Sequence, residues 1–297
     1  GNTSTDALMK TYADSNYFQK LIAFESEFND GNMAGELNRA YEGIELQPNF
    51  IVQLIKKDKD FIIKQREGFR VEEISEYQRT GNEELSFAIM NSNVSEDATQ
   101  LKYHLGIADS LLRENSSDYL GHFMKGVVNG MAHNYSNSLE SYENAITQYP
   151  KFVYASFNRA NTRYELEEYL YQESVYTDNV TISWEKIPAP KQEDIIREPD
   201  FASVLDDYDR VIELQPKLSY AYFNRGNIRC RMKDYNSAVL DYSQAIQIDP
   251  DLAEAWFNRG LTYIYLDQLD NGCSDLSKAG ELGVKEAYGV IKRFCYK

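Results

Sequence analysis

Along the second half of the chain, apolar positions recur at helical spacing, three and four residues apart, and prolines break the pattern at regular intervals. Between Tyr220 and Met232 the residues Tyr222, Gly226 and Arg229 mark one helix. Between Tyr235 and Ile248 the residues Ala238, Tyr242 and Ala245 share one face of a second. Asp249-Pro250 ends the second helix, because a residue that precedes proline is steered away from helical angles. The pattern then restarts: Ala-Tyr-Phe-Asn-Arg-Gly at residues 221–226 is answered by Ala-Trp-Phe-Asn-Arg-Gly at 255–260. Small residues at Gly126, Ala160, Gly226 and Gly260 lie 34, 66 and 34 positions apart, and Pro150, Pro216 and Pro250 lie 66 and 34 apart. This is an internal repeat of helix pairs, with roughly 32 extra residues in the second unit at about Tyr169 to Asp200.

The first 118 residues follow other periods. Residues 17–29 carry Phe18, Leu21, Ile22, Glu25 and Phe28 at helix-like spacing, and Ser95 to Arg113 reads as a long helix with Leu101, Leu105, Ala108 and Leu112 on its apolar face. In contrast, Ile44, Leu46, Phe50, Val52 and Leu54 alternate at period two, with Pro48 interrupting, which predicts an extended edge segment. Val180, Ile182 and Trp184 alternate similarly within the insertion. A lone strand cannot satisfy its backbone, so these segments are expected to pair with each other or with Phe61 to Ile63. Residues 187–198, which open with Ile-Pro-Ala-Pro, read as a loop. The expected organisation is a degenerate N-terminal region over 1–118, four repeat units over 119–285 and a C-terminal capping helix over 286–297.

Charge and composition narrow the partners. A net charge of −16 and a pI near 4.7 work against nucleic acid and anionic membranes, whose phosphates require clustered Lys and Arg. No apolar run is long enough for a membrane-spanning helix. The chain starts at Gly1 rather than Met, as a trimmed or tagged chain would, so an export signal can have preceded it. Cys230, Cys273 and Cys295 lack metal-ligand spacing and read as small buried residues, with a Cys273–Cys295 disulfide as the alternative for an exported protein. Catalytic signatures are wanting. His104, His122 and His133 do not share a helix face, no glycine loop suits a phosphate, and Glu72-Glu73 and Glu83-Glu84 read as solvated faces. No cofactor or metal is implied.

The units resemble the tetratricopeptide repeat (TPR), over Tyr119 to Phe152, Val153 to Leu218 with its insertion, Ser219 to Leu252, and Ala253 to about Lys285. Departures are His122 and Ser156 at a position normally large, Val204 and Gly272 at one normally alanine, and Val284 in place of the last proline. The resemblance implies an all-α fold, a right-handed superhelix of helix-turn-helix repeats, here with a small β element added. Gly272 to Gly283 and Gly43 to Ile55 look like segments of exported bacterial TPR proteins, which implies a cell-envelope or periplasmic location in preference to the cytoplasm.

In such arrays the concave surface is lined by first helices of the pairs. The resemblance therefore places Phe157, Phe223 and Phe257 beside Asn158, Asn224 and Asn258 in a groove, filled out by Asn161, Asn227, Tyr154, Tyr220 and Arg231. A carboxamide offers both donor and acceptor, so a row of them can hold the backbone of an extended peptide without reading its side chains. The competing reading makes the asparagines and phenylalanines structural, the latter as core between units. Arg159, Arg225 and Arg259 recur with Asp207, Asp241 and Asp275, which favours ion pairs between helices over an anion site. The terminal-carboxylate grip of chaperone-binding TPR domains is missing its lysine and arginine members here. The expected function is a non-catalytic interaction scaffold that binds a protein or peptide segment in the concave groove. The alternative is an accessory or small-ligand module with a pocket built by the N-terminal region and the insertion. Under the first reading, Asn224→Ala with Asn258→Ala weakens partner binding and leaves thermal unfolding nearly unchanged.

Overall fold

The computed structural model describes residues 44–56, 72–80, 83–91, 98–179 and 198–296. Its elements, in chain order, are strands β1 (Phe50–Lys56), β2 (Glu72–Thr80) and β3 (Glu83–Asn91), then helices α1 (Ala98–Glu114), α2 (Tyr119–Met131), α3 (Tyr135–Gln148), α4 (Val153–Asn179), α5 (Ala202–Leu214), α6 (Ser219–Arg231), α7 (Tyr235–Ile248), α8 (Ala253–Tyr265), α9 (Leu269–Glu281) and α10 (Glu286–Phe294). The fold class is the expected one, all-α helix pairs of the TPR type with a small β element. Among the described residues, Pro48 to Ala221 form one compact unit; those before Pro48 and those after Ala221 form the other.

In the Pro48–Ala221 unit, α2 pairs with α3, α4 with α5, and α1 packs on α2. Gly126 shows why the repeat keeps a small residue there: a Cβ on it would lie 2.4 Å from Cε1 of Tyr142, whose ring is buried against the α2 backbone. The buried stripe of α1 is His104, Ile107, Ala108 and Leu111, so its apolar face is rotated from the expected one and Leu105 is exposed. Helix α4 continues through Tyr169 to Asn179, into the expected insertion.

The sheet has the order β1-β3-β2, with both pairings antiparallel and Val52 opposite Ile89. β1 is an extended segment, as its alternation predicts, while the segments expected to pair with it, at 61–63 and 180–184, lie outside the described residues. β1 pairs with β3, which begins at the carboxylates Glu83 and Glu84 that read as a solvated face. The core side of β3 comes later in the strand, at Phe87 and Ile89, both buried. Phe87 has its ring centroid 5.0–6.0 Å from those of Phe123, Phe152 and Tyr154, so aromatic burial anchors the sheet on the helices. Residues 17–29, 61–63 and 180–197 lie outside the described residues.

In the second unit, α6 pairs with α7 and α8 with α9, and α10 covers the last pair. Gly226 repeats the Gly126 arrangement, with a Cβ there 2.7 Å from Cε1 of Tyr242. Val290, Ile291 and Ala287 of α10 close a core with Phe257, Leu261, Ile264 and Leu276, and Ile44 and Leu46 pack against it. Cys273 of α9 is bonded to Cys295 at the end of α10, with Cα atoms 5.7 Å apart.

Candidate functional site

The asparagine positions are built by helix periodicity. Asn158 and Asn161 stand three residues apart on one face of α4, as do Asn224 and Asn227 on α6. In the Pro48–Ala221 unit, Asn158 Oδ1 accepts from the Val52 amide at 2.9 Å and its Nδ2 donates to the Val52 carbonyl at 2.7 Å. Asn161 Nδ2 donates to the Phe50 carbonyl at 2.9 Å. The strand explains the match. In an antiparallel ladder, alternate residues turn both main-chain groups away from the neighbour, so Phe50 and Val52 present theirs at the free edge of β1. Among the described residues no strand pairs with that edge, and the Asn158 carboxamide meets both main-chain groups of Val52 there.

The other unit repeats the device on one residue. Gln47 N–H donates to Asn258 Oδ1 at 2.7 Å, and the Gln47 carbonyl accepts from Asn258 Nδ2 at 3.0 Å and from Asn227 Nδ2 at 3.1 Å. Asn161 and Asn227 are each oriented by a tyrosine whose place in the repeat suggests packing alone. Tyr208 donates to Asn161 Oδ1 at 2.6 Å and Tyr242 to Asn227 Oδ1 at 2.7 Å, which turns both Nδ2 groups toward the main-chain carbonyls. The signal for this was present: Tyr208 and Tyr242 share the 34-residue period of the other repeat positions.

Every residue expected in the groove except Arg231, which is partly exposed, is buried. Phe157, Phe223 and Phe257 are 0–1% exposed. Phe157 packs edge-on to Tyr208 and Phe223 lies tilted against Tyr242, so these rings are core and offer no surface to a partner. Tyr154 lies against Phe87, and Tyr220 against Phe50. Asn224 is fully buried in its unit. Within each unit the asparagines hold the chain's own backbone: Asn158 and Asn161 hold residues 52 and 50 in one, and Asn258 and Asn227 hold Gln47 in the other. The pocket of the alternative reading depends on Trp184, outside the described residues, and on the Phe50 segment, whose ring is 1% exposed.

The recurring arginines are consumed by the aspartates. Arg159 forks onto Asp207 at 2.6 and 3.0 Å, Arg225 onto Asp241 at the same distances, and Arg259 onto Asp275 at 2.7 and 2.9 Å. Arg163 and Arg229 add a second donor to Asp207 and Asp241, and Arg159 also meets Glu143. Burial raises the Asp275 carboxyl, and the Arg259 fork opposes that shift. These bidentate pairs staple the two helices of a repeat and leave the five guanidinium groups engaged with carboxylates. Burial also pushes the Cys230 thiol up, which suits packing and not a nucleophile. No group of His, Cys, Asp or Glu among the described residues is placed to hold a metal, and no helix among them is long and apolar enough to cross a membrane.

One carboxyl does stand apart. Burial pushes Glu165 of α4, within electrostatic reach of Tyr135 and Tyr142, up to about 7. A folded-state pKa above the unfolded value means that folding takes up a proton, so this group's contribution is favourable at low pH and is lost as pH rises from about 4.5 to about 7. Because the side chain keeps partial solvent contact, the effect is discounted. Glu165→Gln should gain on wild type by about 1–2 kcal/mol more at pH 8 than at pH 5, by urea unfolding. An equal gap at the two pH values would contradict the shift.

Comparison with known proteins matches residues 226–265 to a TPR repeat model and residues 253–282 to a tetratricopeptide repeat model. No curated protein matches the chain. Among solved structures, YrrB, described as a TPR protein with an unusual peptide-binding site, is 17% identical with a TM-score of 0.45, over 65% of this chain and 84% of its own. TTC0263 of Thermus thermophilus, a thermophilic TPR protein, is 15% identical with a TM-score of 0.47, over 66% and 90%. MamA of Desulfovibrio magneticus is 13% identical with a TM-score of 0.43, over 65% and 99%. These likenesses are too distant to carry function.

Proposed function

From the premise that this chain is a tetratricopeptide-repeat protein, and so an interaction scaffold of a generally non-catalytic class, we propose that it holds a protein partner by the main chain of an extended segment. The single observation that carries this reading is the Asn158 carboxamide closing on both the N–H and the C=O of Val52. Asn258 on Gln47 supports it from the other unit. A clamp made of main-chain contacts recognises the extended conformation first and the side chains second, as in strand-addition modes of peptide binding. The Cys273–Cys295 bond supports an extracytoplasmic place of action, since such bonds persist where the surroundings are oxidising.

The probe is a synthetic peptide with the sequence of residues 44–56, titrated by calorimetry into the full chain carrying Phe50→Ala to loosen its own segment. An N-methyl group on the peptide nitrogen equivalent to Val52 removes the donor that Asn158 Oδ1 accepts. It should weaken binding at least tenfold, on the scale of a buried hydrogen bond left unmade. Equal binding of the methylated and plain peptides would rule the main-chain clamp out.

A further inference from the structure

The Pro48–Ala221 unit fits the backbone of its strand better than it fits the strand's side chains. Gln53 is 1% exposed, yet its Oε1 has no hydrogen-bond partner among the described residues. Its Nε2 donates to Met131 Sδ, 3.0 Å away and a weak acceptor. Tyr220, 4% exposed and edge-on to Phe50 with ring centroids 4.7 Å apart, leaves its hydroxyl likewise unpaired. Buried polar atoms without partners weaken the hold of whatever places them there. The main chain of Phe50–Gln53 is well matched, by β3 on one side and by Asn158 and Asn161 on the other.

We propose that Phe50–Gln53 is a resident occupant that an extended segment of a partner protein displaces. The preferred partner segment carries an aromatic residue, a free position, a β-branched apolar residue, and then an apolar residue where the resident has Gln53. The proposal rests on the main-chain clamp above and adds the partner's side-chain pattern. An incoming strand inherits both the β3 ladder and the asparagine contacts, so the main-chain contributions cancel in the exchange and the side chains decide it. Phe50 and Val52, 1% and 0% exposed, set two of the positions, and the unsatisfied Gln53 amide identifies the third. The resident's advantage is its tether, which gives it an effective concentration on the order of millimolar. A partner free in solution must therefore fit better than the resident, and the position of Gln53 is where it can.

The test uses three full-length proteins, wild type, Phe50→Ala and Gln53→Leu, each checked for cooperative thermal unfolding. Two peptides spanning residues 44–56 serve as probes, one natural and one carrying Gln53→Leu. The substituted peptide should bind the Phe50→Ala protein about tenfold more tightly than the natural peptide, the scale of one buried amide left unpaired. Its affinity should fall from Phe50→Ala through wild type to Gln53→Leu, whose resident segment fits better. Equal affinity for all three proteins would overturn displacement while leaving a main-chain binding site in place. Equal affinity of the two peptides would overturn the assigned pattern. Binding to none of the three would remove both this inference and the clamp on which it rests. Should Phe50→Ala fail to fold, the wild-type and Gln53→Leu pair alone decides the order.

Discussion

Replacing Asn158 by leucine should destabilise the protein by about 2–4 kcal/mol, although the two side chains are close in volume. Val52 is fully buried, and both its N–H and its C=O end on the Asn158 carboxamide. Leucine would leave two main-chain groups unpaired and shut away from water, each at about 1–3 kcal/mol. Asn258→Leu should do less, because Gln47 is only partly buried and its carbonyl keeps the Asn227 donor. Urea titration of the three proteins gives the comparison, read from the midpoint at constant slope. An Asn158→Leu protein as stable as wild type would show that β1 does not depend on the clamp. The result also bears on the expectation that removing groove asparagines spares stability. With Asn258 fully buried and bonded to Gln47, Asn224→Ala with Asn258→Ala should lower the unfolding midpoint as well as any binding.

Removing the disulfide is expected to be as consequential. The bond joins Cys273 to Cys295, 22 residues apart, and the loop it closes in the unfolded chain corresponds to about 3 kcal/mol on the chain-entropy model. The loss should be concentrated in α10, whose Ala287, Val290 and Ile291 cover the last repeat. A double variant, Cys273→Ala with Cys295→Ala, should melt several degrees lower, and a thiol reductant should bring wild type to the same temperature while leaving the variant unmoved. Wild type that ignores the reductant and matches the variant would show the thiols to be unbonded.

Much of this architecture is legible in the chain because its causes are local. Gly126 and Gly226 lie under Tyr142 and Tyr242, and such small–large pairs repeat with the helix-pair unit. The pairing of Arg225 with Asp241, 16 residues on, is set by one helix-turn-helix and recurs as Arg259 with Asp275. Period and spacing suffice for contacts of this range. The strand at Phe50 was legible too, from its alternation, but β3 was hidden behind Glu83 and Glu84 at its start.

The candidate site divides differently. That Asn158, Asn161, Asn227 and Asn258 could grip an extended backbone follows from residue type together with the resemblance to the repeat family, which places them on the lining helices. What they grip does not. Val52 is 106 residues from Asn158 and Gln47 is 211 from Asn258, and a carboxamide presents the same donor and acceptor to a partner's backbone as to its own chain. The choice between Cys273 and Cys295 as separate buried thiols or as a bond is of the same kind, since it depends on how α10 returns to α9. The sequence by itself determined the repeat, its helix pairs and the chemistry of the asparagine face, because those depend on neighbours within one or two turns or one unit. Only the tertiary structure decided that Asn158 and Asn161 hold residues 52 and 50 in one unit and that Asn258 holds Gln47 in the other, because that depends on where a distant segment comes to rest.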